Sequence, residues 1–139
     1  MPIARTDVDA VFPRVAALIA DALARNPDEV RLDSRLIEDL GAESIDFLDI
    51  VFQLEQAFGV RIPRGQILEE ARGPLSYEEF QQDGVITAAG LARLRAVLDE
   101  VPAARIATGL RVDDVAWLFT VETFCKVVLR AQAAEPGSG

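Results

Sequence analysis

Along the chain, apolar residues recur mostly at helical rather than alternating spacing. Val11, Val15, Leu18, Ile19, Ala22 and Leu23 share one face of a segment running from about Asp9 to Arg25. Pro13 lies inside it, so the regular helix is expected to start nearer Phe12, with frayed residues before it. Asn26-Pro27 closes the segment, because the residue before proline avoids the α region. Residues 26–43 then form a long polar connection with Val30, Leu32, Leu36, Ile37 and Leu40 as apolar anchors. A second helix is predicted from Ser44 to Phe58, with Gly59 as its C-terminal cap.

Beyond Pro63 the pattern weakens. A short helix is predicted around Gln66 to Ala71, and Gly73-Pro74 breaks it. Ser76-Tyr77-Glu78-Glu79 has capping-box spacing, and Asp83-Gly84 reads as a turn. Thr87 caps a helix to about Glu100, with Leu91, Leu94, Val97 and Leu98 on its apolar face and Arg93 and Arg95 outward. Another short helix is expected from Asp113 to Leu118, its first turn favoured by Asp113-Asp114 and its packing supplied by Trp117 and Phe119. Thr120 caps a last helix through about Ala131, with Val121, Phe124, Cys125, Val128 and Leu129 as its buried stripe. No strand pattern stands out and no repeat is present, so the chain reads as all-α.

The 139 residues suit one domain, expected over 1–133 with a flexible tail at 134–139. Twenty-three acidic against fourteen basic residues give a net charge of −9, which disfavours nucleic acid and anionic membranes and favours a basic protein surface. Histidine is absent and cysteine occurs once, so Ser-His-Asp and Cys-His catalysis, most zinc sites and intramolecular disulfides are excluded. No metal site and no enzyme are expected, and Cys125 reads as a packing residue. With neither a signal-peptide pattern nor a membrane span, the expected location is cytoplasmic.

The candidate chemistry sits at Ser44. The first N–H groups of a helix are unpaired and its dipole is positive there, so a phosphate on Ser44 would be well placed. Gly41 lets the preceding loop present the hydroxyl. A serine at a helix start is more often simply an N-cap, and the local pattern leaves that reading standing. The helix behind it is apolar over more than half its circumference. Phe47, Ile50, Val51, Leu54 and Phe58 make one face, and Ile45, Leu48 and Phe52 continue it. That second stripe, rimmed by Glu43, Asp46, Asp49 and Glu55, is either covered by later residues or open for docking to a basic partner.

Leu40-Gly41-Ala42-Glu43-Ser44-Ile45-Asp46 resembles the signature of acyl carrier proteins: a leucine-glycine pair, an acid, serine, an apolar residue and usually aspartate. Leu54-Glu55-Gln56-Ala57-Phe58-Gly59-Val60-Arg61-Ile62-Pro63 resembles the exit from the same helix in that family. Thr120-Val121-Glu122-Thr123-Phe124 is similar to the start of its last helix. The likeness covers residues 7–63 and 119–131. It departs at Glu43, where aspartate is usual, and over 64–119, where the family has a much shorter link. Phe47-Leu48-Asp49-Ile50 is similar to specialised carriers of bacterial outer-membrane lipid synthesis.

The resemblance implies a four-helix carrier bundle; it does not explain the helical insertion at 64–119, whose amphipathic Thr87 to Glu100 helix is expected to fold over the bundle and enlarge either the acyl pocket or the partner surface. It implies 4′-phosphopantetheine attached covalently to Ser44, carrying acyl groups as thioesters. Ile50, Leu54 and Phe58 would wall the acyl pocket, and Glu43, Ile45, Asp46, Leu48, Asp49, Phe52 and Glu55 would dock partners. Those partners would be a phosphopantetheinyl transferase and acyltransferase or ketosynthase-type enzymes of lipid or fatty-acid synthesis with basic docking surfaces, served by a monomer. The alternatives are a polyketide or amino-acyl carrier, or an acidic helical adaptor that is never modified.

Overall fold

The computed structural model describes residues 3–63 and 65–134. Of the tail expected at 134–139, residues 135–139 lie outside the described residues. The first helix, α1, runs Arg5–Ala22 without a break at Pro13, so the residues before Phe12 expected to fray are helical. Pro13 forfeits a hydrogen bond to the Asp9 carbonyl, but both residues face solvent, where water can take that carbonyl. The opposite face, with Val8, Val15, Ala16, Ile19 and Ala20, is buried and holds the helix together across the proline. Past Leu23 the chain turns at Ala24, whose φ of 54° is left-handed, and Arg25 N–H closes on the Ala20 carbonyl (2.8 Å).

Helix α2 spans Ser44–Phe58, as the pattern predicts, and Gly59 ends it in the left-handed region. The connection before it does not float. Val30, Leu36, Leu40 and Ala42 are buried, and Leu36 N–H donates to the Phe119 carbonyl (3.1 Å). The N–H groups of Val121 and Glu122 donate in turn to the Ser34 and Leu32 carbonyls, both at 3.0 Å. The polar loop is thereby stitched to the start of the last helix.

Residues 65–119 fold as α3 (Gln66–Arg72), α4 (Tyr77–Phe80), a hairpin of β1 (Gln81–Gln82) and β2 (Val85–Ile86), and α5 (Ala88–Val97), followed by 3-10 helices at Ala103–Arg105 and Val112–Leu118. This two-residue-per-strand hairpin, turning at the Asp83-Gly84 expected as a turn, is a small addition to an otherwise helical stretch. Its strands pair Gln81 with Ile86 and Gln82 with Val85, and positive φ at both Asp83 and Gly84 gives the turn that matches strand twist. Two residues per strand are too few for alternation to register in the sequence. Val112 N–H donates to Gly84 O and Ile86 N–H to Leu110 O, both at 2.9 Å, so the later 3-10 segment hangs from this hairpin.

Arg93 also departs from expectation. Rather than facing outward, it donates to the carbonyls of Ala71 (2.9 Å) and Glu70 (3.3 Å), capping the otherwise unpaired end of α3. Arg95 is exposed yet reaches the Ile106 carbonyl (2.6 Å). Helix α5 stops at Val97, three residues short of Glu100. Asp99 and Glu100 then turn toward Lys126 of α6 (Val121–Ala134), whose ammonium donates to both, 2.9 Å from Glu100.

Helix α1 packs on both α2 and α6, and α3 packs on α5. Leu94, Leu98, Ile106 and Val115 are as fully buried as Ile19, Ile50 and Val128, and all belong to one contiguous core. The fold is a mostly helical bundle in which residues 64–119 share the centre. Among the described residues, no helix is long and apolar enough to cross a membrane.

Candidate functional site

Ser44 is the first residue of α2, and the N-cap position belongs to Glu43, whose backbone is extended (φ −112°, ψ 169°). The reading of Ser44 as a mere cap therefore falls. Asp46 closes the helix start by accepting the Glu43 N–H at 2.8 Å. Ser44 is exposed, and among the described residues nothing engages its hydroxyl. Behind it the loop is held by Arg35, which donates to Asp39 (3.0 Å) and Glu38 (2.6 Å). The guanidinium, together with the Arg35 backbone N–H, holds the Asp39 carboxyl below the usual carboxylate range.

Ser44 borders a cavity of about 400 Å³. Phe47, Leu48 and Val51 of α2 form one side. Ile62, Pro63 and residues 65–68 form a second side, and Val112, Asp113 and residues 115–117 a third. Its back is closed by Phe119, Phe124 and Val127. Three rings brace this wall: Phe47 stacks on Phe124 with centroids 5.9 Å apart, and Phe119 meets both edge-on.

The residues expected to wall an acyl pocket are not those lining this cavity. Ile50 and Leu54 are fully buried in the core and do not reach the cavity. Phe58 is half-buried at the far end, its ring 5.0 Å from the Arg14 guanidinium carbon. At about 100° per residue Phe47 and Val51 form one edge of the same apolar face as Ile50 and Leu54, and residues 62–63, 65–68 and 112–117 convert that edge into a cavity.

The second apolar stripe stays open. Ile45 is 70% exposed, Leu48 49% and Phe52 58%. Glu43 and Asp49 stand exposed beside it, and Asp49 accepts from Gln53 at 3.2 Å. Glu55 does not join this rim as an open acid, because it accepts the Ile62 N–H (2.7 Å) and locks the exit of α2. Trp117 differs from the packing role expected of it. It is 48% exposed and lines the cavity. No periodicity marks Trp117 or Val112 as site residues; a lone tryptophan beside two acids was the only signal.

Cys125 is fully buried, and burial pushes its thiol up to about 12. A second, polar cavity of about 380 Å³ lies among Arg5, Asp99, Glu100, Glu122 and Lys126, whose charges pair with one another. Among the described residues no cluster of three or more histidine, cysteine or acidic side chains could hold a metal ion.

Comparison with known proteins fits this geometry. The family described as phosphopantetheine attachment site matches residues 13–75. Acyl carrier protein AcpXL of Rhizobium meliloti (strain 1021) is 37% identical over 99 residues, covering 70% of this chain and 96% of that protein. The AcpXL of Brucella melitensis biotype 1 is 36% identical over 99 residues, 70% of this chain and 98% of its own length. The acyl carrier protein of Campylobacter hominis is 45% identical over 53 residues, 38% of this chain and 67% of that protein.

Proposed function

The chain belongs to the acyl carrier protein family, and on that premise we propose that Ser44 is the residue bearing its 4′-phosphopantetheine. The observation that carries this reading is the position of the Ser44 hydroxyl: exposed, unengaged among the described residues, at the positive end of α2 and on the edge of an apolar cavity. The site fits the group. A phosphodiester on Ser44 meets the free N–H groups of the first turn, and the cavity beside it offers cover to an apolar chain. When bound, the group supplies a terminal thiol that holds an acyl chain as a thioester.

The protein's own residues then present and shield. Ile45, Leu48 and Phe52, with Glu43, Asp46 and Asp49 around them, make an apolar docking stripe with an acidic rim. Such a stripe suits brief contact with basic enzyme surfaces, the acids speeding encounter rather than tightening the complex. The partners are a phosphopantetheinyl transferase and acyltransferase or ketosynthase-type enzymes. The similarity of Phe47-Leu48-Asp49-Ile50 to carriers of outer-membrane lipid synthesis favours delivery of acyl chains to lipid biosynthesis. The chain acts as a non-catalytic, cytoplasmic monomer, with residues 1–133 as one unit; the shared core supports including 64–119 in it.

Intact-mass measurement after incubation with coenzyme A and a broad-specificity transferase tests the reading. The expected result is a gain of one phosphopantetheine that Ser44→Ala abolishes. An unmodified chain would favour the adaptor alternative, and a gain surviving Ser44→Ala would move the tether elsewhere.

A further inference from the structure

The cavity beside Ser44 owes one wall to a segment for which the carrier resemblance offers no counterpart. The 3-10 helix Val112–Leu118 buries Val115 and Leu118 in the core and leaves Trp117 half open on the cavity side. Its backbone is fixed at both ends. Val112 N–H is tied to Gly84 O (2.9 Å), and the Trp117 carbonyl accepts from Arg105 Nη2 (3.2 Å), which also pairs with Glu38 on the serine loop (2.7 Å). The indole is thus an apolar plate on a rigid mount. A tryptophan has roughly 150–250 Å² of surface to bury, so one held half exposed on a cavity gains by being covered with hydrocarbon.

We propose that Trp117 packs against the acyl chain tethered at Ser44 and is the residue that sets how long a chain this cavity shields. The inference rests on Ser44 being the tether. The occupant is identified by what lines the space: Phe47, Leu48, Val51 and Ile67 are hydrocarbon or aromatic, the polar Gln66 is already engaged with Glu70 (2.8 Å), and the one charged lining residue among those described, Asp113, is exposed to solvent. An unbranched alkyl chain satisfies most of that lining, whereas the amide and carbonyl groups of a polar aminoacyl unit would face mainly hydrocarbon. A chain too short to reach the indole leaves it in water; a longer one covers it.

The protein contains a single tryptophan, so its fluorescence reads this position alone. The full chain is loaded at Ser44 from butanoyl-, octanoyl- and hexadecanoyl-coenzyme A with a broad transferase, and each product is verified by mass. The expected result is an emission that moves to the blue, and acrylamide quenching that falls, as the chain lengthens. Longer chains also raise the unfolding midpoint. Trp117→Ala should load equally well but lose most of that rise, and Trp117→Phe should keep it. Loaded proteins whose emission is the same at every length, or a Trp117→Ala variant with an undiminished rise, would overturn the inference while leaving the carrier reading intact. No mass gain at all would overturn the carrier reading, and this inference with it.

Discussion

Arg105 Nη2 lies 2.7 Å from Glu38 Oε1 and thereby joins two stretches 67 residues apart: the loop that presents Ser44 and the segment that ends in Trp117. The same nitrogen holds the Trp117 carbonyl. A carrier must let its cavity open to admit and release a chain, and this junction is where the two sides are latched by polar contacts rather than by buried hydrocarbon.

Arg105→Ala is expected to lower stability by only about 1 kcal/mol, since the pair is partly exposed. Its larger effect should be local. Acrylamide should quench Trp117 more in the variant than in the parent, read by steady-state fluorescence at equal folded fraction. Equal quenching in the two would show that the latch does not control the wall.

Lys126 is the deeper anchor. Burial opposes its charge, but hydrogen bonds to Asp99 and the buried Glu100 outweigh that and raise its pKa. Lys126→Ala leaves the buried Glu100 carboxylate without its cation, held only by the Thr123 hydroxyl (2.6 Å), and should cost about 3 kcal/mol in chemical denaturation. The double variant Lys126→Met with Glu100→Leu should recover most of the loss. Because the folded pKa is raised, this contribution is fully present below the unfolded-state pKa of lysine, including at neutral pH. It is lost as pH rises through the elevated value.

Phe52→Ala and Ile45→Ala remove exposed side chains from the open stripe. Unfolding midpoints should stay within about 0.5 kcal/mol of the parent. The efficiency of phosphopantetheine loading should fall, by about fivefold for each if each is worth about 1 kcal/mol in docking. Unchanged loading kinetics in both would remove the stripe from the transferase interface.

Cys125 should be silent toward a thiol reagent at neutral pH, because its thiol is buried and held protonated up to about 12. In denaturant it should react at once and stoichiometrically. Rapid labelling of the native protein would mean that α6 opens far more often than its packing implies.

Gly90→Ala tests how closely α5 seats on the hairpin. A methyl group there would overlap the Phe80 carbonyl oxygen and stand 2.8 Å from Ile86 Cγ2. Alanine would gain about 1 kcal/mol in helix propensity, but a fixed backbone oxygen cannot yield as a side chain can. A net loss of about 2 kcal/mol is expected, measured by thermal or denaturant unfolding.

Much of this molecule is decided by local chemistry and is therefore legible along the chain. The bounds of Ser44–Phe58, the left-handed cap at Gly59 and the caps at Ser76, Thr87 and Thr120 all follow from short-range pattern. So does the serine signature, whose residues are contiguous. The exposure of the Ile45-Leu48-Phe52 stripe, by contrast, was decided by where the later residues pack. Where the reading went astray, a partner distant in sequence decided the outcome. Pro13 stays helical because buried side chains on the opposite face hold the turns around it. Arg93 turns inward because the unpaired end of α3 stands in front of it, and Glu55 leaves the acidic rim because the Ile62 N–H needs an acceptor. The cavity shows the division most plainly. Helical period gathers Phe47, Ile50, Val51 and Leu54 on one face, but it cannot say which part of that face the rest of the chain will bury solidly and which it will leave hollow. That depends on where residues 62–63, 65–68 and 112–117 come to rest, a matter of long-range packing that no local spacing records.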